Sequence, residues 1–177
     1  MIAALAAEAA PQGPNPTIVS TTLRTQGHPE QHRGTTTSST AAYGLAVDGV
    51  SLFDIAAGVG TPCYVYSAAA IRDAYTRLET AFGEYPHAIH YALKANSSLA
   101  IVRLLKELGS GIDANSMGEV DIALRCGFAP EQIMFTGVGK SREELSRAIA
   151  LRLKAINVES PGELERLDRL AREQGVV

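Results

Sequence analysis

Short apolar runs end near Lys94, Asp113, Thr136 and Val158, at spacings of 19, 23 and 22 residues. This near-constant period constrains the fold more than any other feature of the chain. Each interval holds one short strand, one helix and two loops, and strands joined by crossover helices lie parallel in a sheet. The helices carry their own start signals. Three open with Ser-x-x-Glu: Ser116 with Glu119, Ser141 with Glu144, and Ser160 with Glu163, the last followed by Pro161 at the first helical position. Each predicts a reciprocal capping box. In the first interval Ile101, Leu104, Leu105 and Leu108 recur at i, i+3, i+4, i+7 while Arg103, Lys106 and Glu107 take the other side, and Gly109 ends the helix. Val176-Val177 predicts the start of a fifth strand.

Upstream, Leu45-Ala46-Val47 reads as a strand, Asp48-Gly49 as a turn, Leu52 to Ala57 as a short helix and Pro62 to Tyr66 as a second strand. Ser67 caps a helix whose apolar side is Ile71, Tyr75, Leu78 and Phe82, ending at Gly83. Residues 41–177 are therefore expected to fold. Residues 1–40, rich in Ala, Pro, Thr and Ser, read as a disordered, low-complexity tail. Its first residues imitate a leader, but no Lys or Arg precedes the apolar run and Glu8 interrupts it, so export is not expected. A net charge of −3 gives no reason to expect nucleic acid, and no apolar run approaches the roughly 20 residues of a membrane span. Cys63 and Cys126 lack metal or redox spacing, so the expected setting is the reducing cytoplasm.

Periodicity alone leaves an open doubly wound sheet and a closed barrel equally available. Because a complete βα barrel takes about 250 residues, a barrel reading gives this chain about the first half of one. In either architecture functional groups gather at the carboxyl ends of the strands, where Lys94 closes the run Tyr91-Ala92-Leu93-Lys94-Ala95-Asn96. Alternation sets Ala88, His90 and Ala92 on the lysine's face and Ile89, Tyr91 and Leu93 on the other. Partial desolvation there would disfavour the ammonium and supply the neutral amine that condenses with a carbonyl.

The frame around Lys94 is more specific than the lysine itself. Tyr91-Ala92-Leu93-Lys94-Ala95-Asn96, then Ile101-Val102, Leu105 and Gly109, resembles the pyridoxal phosphate attachment motif of the alanine-racemase-like barrel decarboxylases, the ornithine, arginine and diaminopimelate group. The resemblance extends from about Tyr43 to Val177. Three segments are most similar to the diaminopimelate branch: Gly109 to Glu119, Phe135 to Ser141, and Ile156 to Ser160. Asn115 and Met117 depart from the small or apolar residues usual there. The resemblance implies an α/β fold, a partial (β/α)8 barrel, and pyridoxal 5'-phosphate carried on the catalytic Lys94. It also implies cofactor-pocket positions for Asp113 and Glu119, a small amino acid as substrate, and a homodimer for the complete enzyme. The implied reaction is decarboxylation of meso-diaminopimelate to lysine. Later barrel strands, a second domain and partner residues complete such sites, so a truncated chain is expected to be inactive alone. The alternatives are an ornithine or arginine decarboxylase of the same fold, a non-catalytic pyridoxal phosphate-binding relative, and an open α/β binding domain.

Other motifs carry less. Gly139-Lys140-Ser141 imitates the end of a phosphate loop, but Met134 stands where the first glycine would be, and Lys140 reads as a solvated lysine. His28 and His32 flank Pro29, which a zinc-binding helix does not accommodate, so no metal is expected. His90 reads as a core histidine with a satisfied ring.

Overall fold

The computed structural model describes residues 3–6 and 45–176, in two units, Met1–Asp73 and Ala74–Val177. In the first unit, β1 (Ala3–Ala6) runs parallel to β4 (Tyr64–Ser67), while β2 (Ala46–Val47) and β3 (Val50–Ser51) form a hairpin. Asp48 and Gly49 both take positive φ, 49° and 77°, the geometry of the tight two-residue turn that matches strand twist. The short helix expected after it is α1 (Leu52–Val59). The Asp48 carboxylate accepts from Ser67 Oγ at 2.6 Å and from the Ala69 amide at 3.1 Å. Ser67 Oγ in turn accepts from the Ala70 amide at 2.9 Å, so two side chains cap the first turn of α2 (Ala68–Phe82). The rest of the tail expected over 1–40, with His28 and His32, lies outside the described residues.

Along α2, Ile71 and Tyr75 are half-buried, but Leu78 and Phe82 on the expected apolar side are exposed. Phe82 stacks on the His87 ring, with 4.4 Å between centroids.

The second unit is built from the βα repeat. Strands β5 (His90–Ala92), β6 (Gly111–Ala114), β7 (Ile133–Phe135) and β8 (Ala155–Ile156) form one parallel sheet in sequence order. They alternate with α3 (Leu99–Glu107), α4 (Met117–Arg125), α5 (Arg142–Leu151) and α6 (Pro161–Glu173). The register pairs Ala92 with Asp113, Asp113 with Met134, and Met134 with Ala155, so these residues share one sheet face. The opposite face carries Ile112, Ala114, Ile133 and Phe135, all at most 1% exposed. These pack with Leu93, Val102, Val120, Ala123, Phe128 and Ala148 into the main core. Leu145, Ile149 and Leu170 form a second cluster between α5 and α6. One face of the sheet is thus dry, and the other is lined by half-buried residues around a carboxylate. The expected fifth strand does not begin at Val176, and Val177 lies outside the described residues.

Only one of the three expected capping boxes closes on itself. Ser141 Oγ accepts from the Glu144 amide and Glu144 Oε2 accepts from the Ser141 amide. Ser116 and Ser160 also accept from the amides of Glu119 and Glu163, both at 3.2 Å. Their glutamates, however, reach one residue further back. Glu119 Oε2 accepts from Asn115 N at 2.7 Å, and Glu163 Oε2 from Glu159 N at 2.9 Å. Both carboxylates are thereby drawn toward the ends of the strands, where the site lies.

Candidate functional site

The site is built where the strands give way to helices. Strand β5 stops at Ala92, and Leu93, Lys94 and Ala95 form one 3-10 turn before Ser98 opens α3. Leu93 falls inward and is 0% exposed, which anchors the turn in the core. Tyr91 Oη donates to the Asn96 carbonyl at 3.0 Å, and Asn96 Oδ1 accepts from the Ser98 amide at 2.9 Å. The residues flanking Lys94 thus hold the turn by local hydrogen bonds. Lys94 itself is exposed, not partly desolvated as expected, because the chain turns before alternation carries the lysine into the sheet. Its amine is presented at the open end of the strand.

Asp113 is the Cα partner of Ala92 on the neighbouring strand and lies on the sheet face away from the main core. Its Oδ1 accepts from Thr136 Oγ1 at 2.5 Å. Thr136 Oγ1 in turn accepts from Asn157 Nδ2 at 2.8 Å, so one hydrogen-bonded line crosses the ends of β6, β7 and β8. Glu119, through Asn115 N, fixes the turn after β6. The Asn115 side-chain amide nitrogen is buried with no hydrogen-bond partner among the described residues. A buried donor left unmatched is costly, which makes it a natural partner for an acceptor from outside the chain. Gly137 adopts φ of 109° with its would-be Cβ 3.0 Å from the Asn115 carbonyl, so only glycine lets the two turns approach.

Lys140 corrects its sequence reading. It is buried, with 2% of its side chain exposed, and Glu163, at 3%, lies beside it, Nζ to Oε1 2.8 Å. Nζ also donates to the Asn157 carbonyl at 2.7 Å and sits 5.6 Å from the centre of the Phe135 ring. The lysine folds inward because a carboxylate, a carbonyl and an aromatic face replace its water shell. Burial raises the Glu163 carboxyl, but the hydrogen bonds from Lys140 and the Glu159 amide, and the positive charges of Lys140 and Arg166, hold it below the usual carboxylate range.

His90 lies at the opposite end of its strand from Lys94, its Nε2 3.0 Å from Lys154 Nζ and its ring over Gly111. The ring is partnered and packs on the neighbouring strand, but it is half-buried at the rim rather than in the core as expected. Cys126 is buried, and burial pushes its thiol up, away from nucleophilic use. Among the described residues no cluster could hold a metal ion, and no helix is long and apolar enough to cross a membrane.

Thr136, Asn157 and Glu163 were missed by the sequence reading as site-building residues. The available signal was the period: 113 to 136 and 140 to 163 are both 23 residues apart, one βα unit. Polar residues repeated at that interval fall side by side at neighbouring strand ends.

Comparison with known proteins agrees with this architecture. A family model described as pyridoxal-dependent decarboxylase, pyridoxal binding domain, matches residues 68–177. The diaminopimelate decarboxylase of Vibrio cholerae is 45% identical over 132 residues, 75% of this chain and 32% of that protein. That of Pseudomonas aeruginosa is 44% identical over the same length and shares. The crystal structure of diaminopimelate decarboxylase from M. jannaschii in complex with L-lysine superposes with a TM-score of 0.70 at 37% identity. The match covers 73% of this chain and 31% of that one. The chain spans about a third of the length of the curated relatives it matches. The parallel sheet and its helices are therefore a partial α/β barrel of the alanine-racemase-like class. By sequence and by fold, the chain belongs to the pyridoxal-dependent decarboxylases, through their pyridoxal binding domain.

Proposed function

We propose that these residues form the pyridoxal-binding part of a diaminopimelate decarboxylase, in which Lys94 holds pyridoxal 5'-phosphate and meso-diaminopimelate is converted to lysine and carbon dioxide. The observation that carries this reading is the Lys94 turn: an exposed amine at the carboxyl end of the first strand of a parallel sheet, locked by Tyr91 and Asn96. Support for the substrate comes from the relatives bearing that enzyme's name and from lysine in the M. jannaschii complex. An ornithine or arginine decarboxylase is not favoured on the same grounds.

The donor set fits the cofactor. Lys94 would offer the amine, the Asp113 carboxylate lies on the neighbouring strand, and the spare Asn115 amide offers a donor in the turn that follows that strand. When bound, pyridoxal phosphate would supply an electron sink for the bonding pair left behind as the substrate carboxylate departs as carbon dioxide. Lys94 would hold the cofactor through its amine, which as the neutral base is the nucleophilic form such a carbonyl group requires. Asp113 is held at Oδ1 by the Thr136 hydroxyl, beside the strand that leads to Lys94. Glu119 acts on the pocket wall by holding the Asn115 amide.

On this reading residues 41–177 correspond to the first part of the barrel, the complete enzyme is a homodimer, and it works in the cytoplasm. The 177 residues alone are expected to show no measurable turnover, since the sheet face that carries Asp113 is only half-buried. Borohydride reduction in the presence of pyridoxal phosphate, followed by peptide mass mapping, tests the reading. Label on Lys94 and its loss in Lys94→Ala are expected. A folded protein that labels elsewhere, or not at all, contradicts it.

A further inference from the structure

Two buried charges, one in the loop between β7 and α5 and one in the first turn of α6, have no part in the chemistry assigned to Lys94. Taking a lysine and a glutamate out of water carries a large desolvation cost, which an ion pair recovers only when its remaining hydrogen bonds are also met. Here they are largely met. Lys140 Nζ donates to Glu163 Oε1 and to the Asn157 carbonyl, while Glu163 Oε2 accepts from the Glu159 amide. Asn157 is the junction: its carbonyl is gripped by Lys140, and its side chain donates to Thr136, whose hydroxyl donates to Asp113. Hydrogen bonds to the Asn157 carbonyl on one side and from its side-chain amide on the other therefore link a dry ion pair, through Asn157 itself, to the carboxylate on the open face of the sheet. Fully partnered buried networks fix geometry, because any member that rotates leaves another unmatched.

We propose that Lys140 and Glu163 are positioning residues for Asp113, acting through Asn157 and Thr136. The inference rests on the reading of Lys94 as the cofactor lysine for its functional consequence, though not for the geometry. A lysine free in solvent could not do this, since its chain would sample many rotamers. A pair that only stabilised the fold would need the Asn157 carbonyl to satisfy Nζ, but not the bonds beyond it from the Asn157 side chain to Thr136 and on to Asp113.

The test compares Thr136→Val, which cuts the line and leaves the ion pair, with Lys140→Met/Glu163→Leu, which removes both charges together and leaves neither stranded. Two quantities are read in each: exchange of the Asn157 side-chain amide protons by NMR without cofactor, and pyridoxal phosphate affinity by absorbance titration. The proposal expects at least tenfold faster Asn157 exchange in both variants. It also expects weaker pyridoxal phosphate binding by a similar factor in each, about tenfold, with the triple variant no worse than either, as for residues acting as one unit. Wild-type exchange and affinity in the double variant would overturn it and leave the pair a stability element. Multiplying losses in the triple variant would also overturn it, since the two changes would then act separately. If wild-type Lys94 takes no label, the cofactor reading falls. The exchange data still decide whether the pair orders Asn157, so the two failures are distinguishable.

Discussion

At the scale of single residues, Glu163 and His87 respond to pH in opposite directions. The Glu163 carboxyl is held below its ordinary value of 4.5 in the folded protein. Its contribution to stability is therefore present above pH 4.5 and is lost as pH falls through the lowered folded value. Chemical denaturation of the wild type and of Lys140→Met/Glu163→Leu at a series of pH values should show a wild-type midpoint that drops more steeply in acid. His87 is raised above 6.5, first by its contact with the Tyr85 carbonyl, with Glu79 assisting and partial burial opposing. The imidazolium's contribution is present below pH 6.5 and disappears as pH rises through the raised folded value. An NMR titration of the His87 ring should give a midpoint above 6.5, and Glu79→Gln should lower it. The same scale shows why Lys140 was misread. A lysine in a Gly-Lys-Ser loop has no local pattern that distinguishes solvent from a carboxylate 23 residues away.

Among the elements, the helix starts divide into two kinds. At α5 the Ser141 and Glu144 side chains satisfy each other's backbone amides, and the motif serves the helix alone. At α4 and α6 the serine still caps, but the glutamate is diverted to the residue before it, into the strand-end turn. Ser141→Ala should therefore cost about 1 kcal/mol, the ordinary value of an N-cap, and leave cofactor affinity unchanged. Ser160→Ala should cost a similar amount and also weaken pyridoxal phosphate binding, because α6 carries Glu163. Thermal melts paired with absorbance titrations check both outcomes; equal cofactor affinity in the two variants would contradict the division. The boundaries of these helices were legible because periodicity and serine caps act within a few residues. The diversion was not, because Ser-x-x-Glu is the same string in both cases and only the neighbouring strand decides where the carboxylate turns.

For the whole molecule, the four-stranded sheet has one dry face and one half-open face, with β5 and β8 as its edges. Unpaired strand edges are templates for further pairing. The 177-residue chain is expected to self-associate at micromolar concentration, seen as a concentration-dependent shift in sedimentation velocity. A concentration-independent monomer would show that the edges are protected.

What the sequence determined by itself was the repeat. The spacing of strand ends, the apolar stripe of α3 and the serine caps lie within one βα unit, so local propensity and burial specify them without reference to the rest of the chain. The Lys94 frame was legible for the same reason, since Tyr91, Asn96 and Ser98 close its turn within seven residues of one another. Only the tertiary structure decided which polar residues meet. Asp113, Thr136 and Asn157 lie 23 and 21 residues apart, and Lys140 joins Glu163 across 23. Those contacts exist because successive parallel strands bring equivalent positions into register. Their strength depends on exclusion of water, which no single segment of the chain achieves alone.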